Sequence, residues 1–253
     1  LWFVLQVFVF ASFKIPSDSM EPGLITGDNI LVWKPTVGPR LFNLFASMRN
    51  EQTDIYRIPG FNKIKRNDIL VFNFPHPNSW DKIEMHILKY YIKRCVGIPG
   101  DTLSIRNGFF HVEGVQTPLG NMDSQKGIAA TEKFQDGIFQ SFPFDSIIGW
   151  NIKDFGPLYI PVKGDSITLD RTNFRLYKKL IEWEQQGSLQ YKDSTTFLNG
   201  KPIYGYRFQE NYYFMAGDKG LNSQDSRYWG LLPEEYTVGK AWIIWKSVDP
   251  YTE

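Results

Sequence analysis

The sequence predicts a mainly β fold, and three observations lead to this prediction. A turn that contains an acidic residue is followed at once by alternating apolar positions in residues 27–32, 67–72, 100–105 and 164–169. Apolar runs rich in aromatic and β-branched residues occupy residues 90–96, 212–216 and 241–245, as is typical of strands. Clear helical spacing is confined to one segment.

The four turn segments share one local chemistry. Gly27, Asn67, Gly100 and Gly164 each stand directly before an aspartate. Gly and Asn tolerate a positive φ, Asp can close a tight turn through its side chain, and the apolar residues that follow favour extended backbone. Each segment is therefore predicted to be a strand that begins at a tight turn.

The helical segment begins near Asn173, which can cap it. Phe174, Tyr177, Leu180 and Ile181 fall on one face at helical spacing, and Gly187 can end the helix. The surrounding residues 106–209 are richer in Gly, Asp, Gln and Ser, and they separate the segments that carry the chemical motifs. We interpret them as an insertion in a β fold.

The N-terminus is an apolar run of residues 1–13, broken only by Gln6 and Ser12 and ended by Lys14. It is shorter than the roughly 20 apolar residues that a transmembrane helix requires. A cleavable signal peptide would need a basic start and a small-residue cleavage site, and neither is present. We interpret residues 1–14 as the C-terminal part of a truncated membrane anchor, with a buried core element as the alternative.

Charge and cysteine content exclude several classes of protein. Lys plus Arg number 28 and Asp plus Glu number 27, so a net charge of +1 provides no basic surface for nucleic acid. Cys95 is the only cysteine, which excludes an intrachain disulfide. The three histidines, His76, His86 and His111, lack metal-ligand spacing. We therefore expect no metal, no cofactor and no nucleic-acid partner.

Three segments contain a nucleophile, a base and polar groups that could position them. They are residues 15–22 (Ile-Pro-Ser-Asp-Ser-Met-Glu-Pro), residues 91–101 (Tyr-Ile-Lys-Arg-Cys-Val-Gly-Ile-Pro-Gly-Asp) and residues 217–230 (Gly-Asp-Lys-Gly-Leu-Asn-Ser-Gln-Asp-Ser-Arg-Tyr-Trp-Gly). In order and in detail they resemble the type I signal peptidase family. The resemblance implies that Ser19 attacks the scissile carbonyl and that uncharged Lys93 removes its proton.

Lys93 meets an independent physical requirement of that role. An exposed lysine has a pKa near ~10.4 and is protonated at neutral pH, whereas burial among apolar groups lowers the pKa by several units. Lys93 follows Tyr90, Tyr91 and Ile92 and precedes Cys95 and Val96. A lysine in so apolar a strand either extends its amine to the strand edge or is desolvated for catalysis, and the motifs favour the second interpretation.

The resemblance also implies roles for the neighbouring polar residues. The Ser17 hydroxyl and the Ser19 amide would stabilise the oxyanion, and Ser223 would orient the lysine. Asp218, Asp225 and Arg227 would support the site. The alternatives are a turn residue at Ser17 and a surface turn with a weak ion pair around Asp225.

Substrate recognition in this family resembles the addition of an extended peptide as a strand, with pockets for small side chains at the first and third positions before the cut. The matching residues are Phe13, Ile15, Met20 and Ile92, each of which could equally be plain core. One departure stands out: Lys219-Gly220-Leu221 replaces the more polar Asn-Arg-Asp type of linker found in many relatives.

The expected fold is thus a signal-peptidase-like catalytic β domain of residues 15–105 and 210–253, with an inserted α+β or β second domain of residues 106–209. The expected protein is a monomeric serine endopeptidase bound to the lipid bilayer, which removes signal peptides from preproteins after Ala-x-Ala sites. The family implies a catalytic domain on the outer face of the cytoplasmic membrane.

Two other functions remain open at this point. A self-cleaving repressor-type protease shares the Ser-Lys dyad, although such a protein usually carries a DNA-binding helix-turn-helix. An inactive, membrane-tethered peptide-binding module would keep the groove without the chemistry, and the presence of both Ser19 and Lys93 argues against it.

Overall fold

The computed structural model of the chain describes residues 2–42 and 55–248. Its strands in chain order are β1 (Phe10–Lys14), β2 (Asp28–Trp33), β3 (Arg40–Leu41), β4 (Tyr56–Arg57), β5 (Ile69–Asn73), β6 (Tyr90–Gly97), β7 (Thr102–Arg106), β8 (Phe109–Val112), β9 (Phe155–Tyr159), β10 (Ser166–Thr168), β11 (Leu189–Lys192), β12 (Thr195–Leu198), β13 (Lys201–Ile203), β14 (Gly205–Arg207), β15 (Tyr212–Ala216), β16 (Leu232–Pro233) and β17 (Thr237–Ser247). Its helices are α1 (Trp2–Phe8), α2 (Met122–Ala130), α3 (Arg171–Gln185) and α4 (Ser226–Trp229). The predicted mainly β fold is confirmed.

The largest sheet has seven antiparallel strands in the order β1-β2-β17-β5-β6-β15-β16. Strands β1 and β6 are four positions apart in this order, which would separate them by about 19 Å in a flat sheet. Yet the rings of Phe13 on β1 and Tyr90 on β6 lie 4.9 Å apart between centroids. The sheet therefore curls until its first strand approaches its fifth.

The four predicted turn segments lead into β2, β5, β7 and β10. Gly27, Asn67, Gly100 and Gly164 all have a positive φ, between 71° and 97°. In the first three segments an Asp side-chain oxygen accepts a hydrogen bond from the backbone N–H three residues earlier, at 2.9 to 3.0 Å. The prediction that strands begin at these turns is confirmed, and local turn chemistry explains it.

The predicted helix is α3, but its first cap differs from the prediction. Asp170 caps it by accepting a hydrogen bond from the Asn173 backbone N–H at 2.7 Å, while the Asn173 side chain donates to Thr168 O. At the other end the left-handed residue is Gln186 rather than Gly187. The assignment of Asn173 as the cap was wrong, because the carboxylate of Asp170 lies three residues before the N–H that needs a partner.

The apolar N-terminal run divides into two elements. Residues 2–8 form α1, and β1 pairs with β2 in a register that sets Phe13 opposite Ile30. Among the helices of the described residues, none has the length and apolar character needed to cross a membrane. The interpretation of residues 1–14 as part of an anchor stays a prediction.

The region 106–209 contains α2, α3 and strands β8 to β14, none of which joins the seven-stranded sheet. One continuous apolar cluster contains Phe72 and Phe214 of that sheet together with Leu158 and Tyr177 of this region. The shared core fixes the region against one side of the sheet. Its status as a separate domain stays a prediction.

Candidate active site

Ser19 lies on the loop between β1 and β2, here called the nucleophile loop (residues 15–27). Ile15 and Met20 bury their side chains on either side of it, in an apolar cluster with Leu24 and Val71. Met20 O also accepts a hydrogen bond from Leu24 N at 2.9 Å. Buried apolar residues thus hold the loop at both sides of Ser19, whose own side chain is half-buried.

Lys93 projects from β6 opposite Leu70 of β5 and is only 3% exposed. Its Nζ lies 2.6 Å from Ser19 Oγ. Burial lowers the pKa of Lys93 to about 8, although the carboxylates of Asp225 and Asp218 act in the opposite direction. The structure therefore brings the predicted nucleophile into contact with an amine that loses its proton far more readily than an ordinary lysine does.

Ser17 lies two residues before Ser19, and the two hydroxyl oxygens are 3.4 Å apart. The Ser17 side chain is exposed, so it can turn toward a bound substrate. Its position is compatible with donation to an oxyanion near Ser19 Oγ.

Ser223 lies on the loop between β15 and α4, here called the support loop (residues 217–225). Its side chain is buried, and within the described residues its Oγ has no hydrogen-bond partner. The two loops meet at Gly217, because a Cβ added there would be 2.1 Å from Ser223 Oγ and 2.7 Å from Ser19 O. The absence of a side chain at residue 217 is what allows this approach.

Asp225 and Arg227 form a buried ion pair beneath the support loop. Arg227 Nε donates to Asp225 Oδ1 at 2.8 Å and Nη2 donates to Oδ2 at 2.7 Å, and both side chains are at most 1% exposed. Asp225 Oδ2 also accepts from Gly217 N at 2.9 Å, and Arg227 Nη2 donates to Gly220 O at 2.7 Å. The pair is thus an internal brace for the loop, not the surface ion pair of the alternative interpretation.

The sequence motifs contain further charged residues to which no role was assigned. Arg94, next to Lys93, binds Asp218 through two hydrogen bonds of 2.7 and 2.6 Å. Lys219 contacts Asp18 and Glu21 on the nucleophile loop. Arg94 and Lys219 both lie inside the sequence motifs, but their partners are distant in sequence. Their location in a motif is therefore the only feature of the sequence that could have indicated a role for them.

A cleft of about 920 Å³ opens beside the Ser19–Lys93 pair. The four residues predicted to bind substrate, Phe13, Ile15, Met20 and Ile92, all line it and belong to one apolar cluster. These side chains therefore pack in the apolar core and also line the cleft. The wall they form is apolar up to the dyad.

Comparison with known proteins finds similar sequences over nearly the whole chain. Residues 1–246 match the family described as signal peptidase, peptidase S26. The signal peptidase I of Buchnera aphidicola subsp. Baizongia pistaciae is 30% identical over 252 residues, which cover 96% of this chain and 72% of that protein. The signal peptidase I of Pseudomonas aeruginosa is 28% identical over 255 residues, covering 96% and 67%. A crystal structure of a signal peptidase I from Enterococcus faecalis aligns with a TM-score of 0.34 at 19% identity, over 71% of this chain and 97% of that one.

Proposed function

The chain belongs to the signal peptidase family, peptidase S26, and from that premise we propose that it is a serine endopeptidase that removes signal peptides from exported preproteins. The observation that carries the proposal is the distance of 2.6 Å between Lys93 Nζ and Ser19 Oγ at a buried lysine. A nucleophilic hydroxyl within hydrogen-bond reach of a base with a lowered pKa is the arrangement that covalent acyl transfer requires.

Catalysis begins with neutral Lys93. Its amine accepts the Ser19 hydroxyl proton as Oγ attacks the scissile carbonyl carbon, and the Ser17 hydroxyl and the Ser19 amide stabilise the oxyanion. The ammonium group of Lys93 then donates its proton to the leaving amine, which departs as the new N-terminus of the mature protein. In the second half, Lys93 takes a proton from water as the water oxygen attacks the carbonyl carbon of the acyl-enzyme ester. The Lys93 ammonium then returns this proton to Ser19 Oγ as the bond between Oγ and the acyl carbon breaks and the signal peptide leaves with a new carboxyl group.

The substrate would bind as an added strand in the cleft. Among the described residues, β15 pairs with β6 only from Arg94 to Gly97, so residues 90–93 of β6 have a free edge toward the cleft. A peptide there would lie between this edge and the segment that leads from Phe13 to Ser19. The apolar wall of Ile15, Met20 and Ile92 would then accept small side chains before the cut.

Membrane association is part of the proposal. On β17, a strip of four exposed apolar residues, Trp242, Ile243, Ile244 and Trp245, faces solvent. This β17 strip lies beside β1, since Trp245 Nε1 donates to Ser12 Oγ at 2.9 Å. Exposed Trp and Ile side chains together suit the interface of a lipid bilayer. The proposed location is the outer face of the cytoplasmic membrane, where translocated preproteins emerge.

The test is cleavage of a preprotein with Ala at the first and third positions before the cut. Ser19→Ala and Lys93→Ala are each expected to reduce the rate by more than about 10³-fold, because nucleophile and base act as a unit. Replacement of the substrate's first Ala by Leu should also abolish cleavage by the parent enzyme.

Lys192→Ala, which removes an exposed lysine from β11, is the control and should cleave at the parental rate. Thermal unfolding establishes that each variant is folded. Substantial turnover by a folded Lys93→Ala protein would contradict the proposed dyad.

A further inference from the structure

Lys219 makes three contacts with the nucleophile loop. Its backbone N–H donates to Ser19 O at 3.1 Å. Its Nζ donates to Asp18 Oδ2 at 2.5 Å and to Glu21 Oε2 at 3.0 Å. One residue thus binds the nucleophile's own carbonyl and the carboxylates that stand one residue before and two residues after Ser19.

A second residue of the support loop strengthens this attachment. Asn222 Nδ2 lies 3.0 Å from both carboxylate oxygens of Asp18. Lys219 and Asn222 therefore hold Asp18 together, and we call these two residues with Asp18 and Glu21 the loop clamp. The side-chain hydrogen bonds of Lys219 and Asn222 to these carboxylates join the support loop to the nucleophile loop.

The support loop is itself fixed to the strand that carries the base. Asp218 binds Arg94, the residue after Lys93 on β6, through two hydrogen bonds. Gly220 is held on its other side by Ser124 of α2, whose Oγ accepts from Gly220 N at 2.6 Å. Lys219 lies between these two attachment points. The loop clamp therefore fixes the nucleophile loop relative to β6, the strand that carries Lys93.

We propose that Lys219 is a positioning residue that keeps Ser19 Oγ in contact with Lys93 Nζ by holding Asp18 and Glu21 on either side of the nucleophile. This inference rests on the proposed function. Lys219 is not in contact with the reacting atoms through its side chain, so its effect on catalysis is exerted through the backbone of Ser19.

Lys219 and Asp18 of the loop clamp keep their charges at the pH at which the enzyme is expected to be active. The hydrogen bond with Asp18 raises the pKa of Lys219, and the hydrogen bond with Lys219 lowers the pKa of Asp18. Both groups are thus ionised across the range in which Lys93 titrates. The Lys219 and Asp18 side chains are 43% and 36% exposed, and exposed ion pairs contribute little to the free energy of unfolding. The geometry of the dyad is more sensitive, since misplacement by 1 Å can cost about 10²-fold in rate.

The first experiment compares Lys219→Met with the parent enzyme on a short Ala-x-Ala peptide. We expect kcat to fall about tenfold with KM and the midpoint of thermal unfolding unchanged, and Lys219→Arg to recover most of the lost rate. The matched control is Lys126→Met, which removes an exposed lysine paired with Asp123 at 2.8 Å on α2. It should keep the parental kcat.

The second experiment tests whether Lys219 acts through its two partners. The double variant Asp18→Asn with Glu21→Gln should lower kcat as Lys219→Met does, and the triple variant should be no slower than Lys219→Met, since changes that remove one interaction are not additive. Any of three results would overturn the proposal. Lys219→Met could keep the parental kcat, it could change KM alone, or the triple variant could lose the product of the two separate losses in kcat. Absence of Ser19-dependent cleavage by the parent would instead reject the proposed function.

Discussion

At the scale of single residues, the proposed chemistry depends on the removal of the Lys93 amine from water, which lowers its pKa. Lys93 is buried between the cleft and the support loop, and its pKa is lowered to about 8 chiefly by burial. The nearby Asp225 and Asp218 carboxylates would stabilise its charged form, but each is already bound to an arginine. The pairing of both carboxylates limits their effect, so burial determines the sign of the shift.

The first prediction at this scale is the pH dependence of cleavage. In the proposed mechanism neutral Lys93 is the active form, so a higher pH increases the active fraction. The value of kcat/KM should rise about tenfold per pH unit below the pKa and level off above it. The limb should be centred near the folded-state pKa of about 8. A rate profile on a short peptide measures it, and a limb near the free-lysine value of ~10.4 would contradict the tuned base.

A prediction for Ser223 follows from its buried hydroxyl, which has no hydrogen-bond partner among residues 2–42 and 55–248. Ser223→Ala keeps the nucleophile and the burial of Lys93 but removes the group proposed to orient the amine. The maximal rate should fall on the order of 10²-fold, while the limb of the pH profile stays in place and unfolding is unaffected. The same rate profile measures both quantities, and parental activity would exclude an orienting role.

At the scale of elements, the support loop links three parts of the fold. It is fixed to β6 through Asp218, to α2 through Gly220 and to α4 through Asp225, whose side chain accepts from the Arg227 backbone N–H. The support loop also meets the nucleophile loop at Gly217. Its position therefore determines whether Ser19 Oγ stays within hydrogen-bond distance of Lys93 Nζ. A small change in this loop should therefore affect catalysis more than stability.

Gly217→Ala tests this dependence directly. The added methyl group would lie 2.1 Å from Ser223 Oγ and 2.7 Å from Ser19 O, so one of the two loops must move. We expect a loss of kcat on the order of 10²-fold or more. The matched control is Gly127→Ala in α2, where the added carbon meets nothing within 4 Å. Gly127→Ala should keep parental kinetics. Its free energy of unfolding should rise by up to about 1 kcal/mol, because Ala is more favourable than Gly inside a helix. Equal kinetics of the two variants would contradict the close approach.

At the scale of the whole molecule, the curl of the seven-stranded sheet brings its first strand to the catalytic cleft. The β17 strip lies two strands from β1 in the same sheet, and Trp245 of the strip donates a hydrogen bond to Ser12 of β1. The cleft and the exposed apolar strip therefore belong to one region of the molecule. An enzyme held at a bilayer by this region would have its cleft close to the membrane surface.

Binding to phospholipid vesicles tests the proposed membrane contact. The double variant Ile243→Ser with Ile244→Ser removes two exposed apolar side chains from the β17 strip and should bind vesicles several-fold more weakly, because the free energy of partition scales with buried apolar area. Tyr204→Ser removes an exposed ring outside the strip and is the control. Co-sedimentation measures both, and identical binding by the two proteins would contradict the assignment of the strip.

The sequence by itself determined the strands that begin at tight turns and the identity of the motif residues. Both follow from short-range chemistry: positive φ at Gly27, Asn67, Gly100 and Gly164 is a property of a few consecutive residues. The cap of α3 was misassigned even so, since Asp170 and Asn173 both satisfy the local preference and only the backbone shows which N–H needs an acceptor.

Only the tertiary structure decided which distant residues meet. Ser19 and Lys93 are 74 residues apart in sequence, and Lys219 and Asp18 are 201 apart. These contacts depend on the curl of the sheet and on the anchoring of the support loop. The burial that lowers the pKa of Lys93 has the same origin. Such features arise because many packed elements share one core, and the pattern of a single segment does not contain that information.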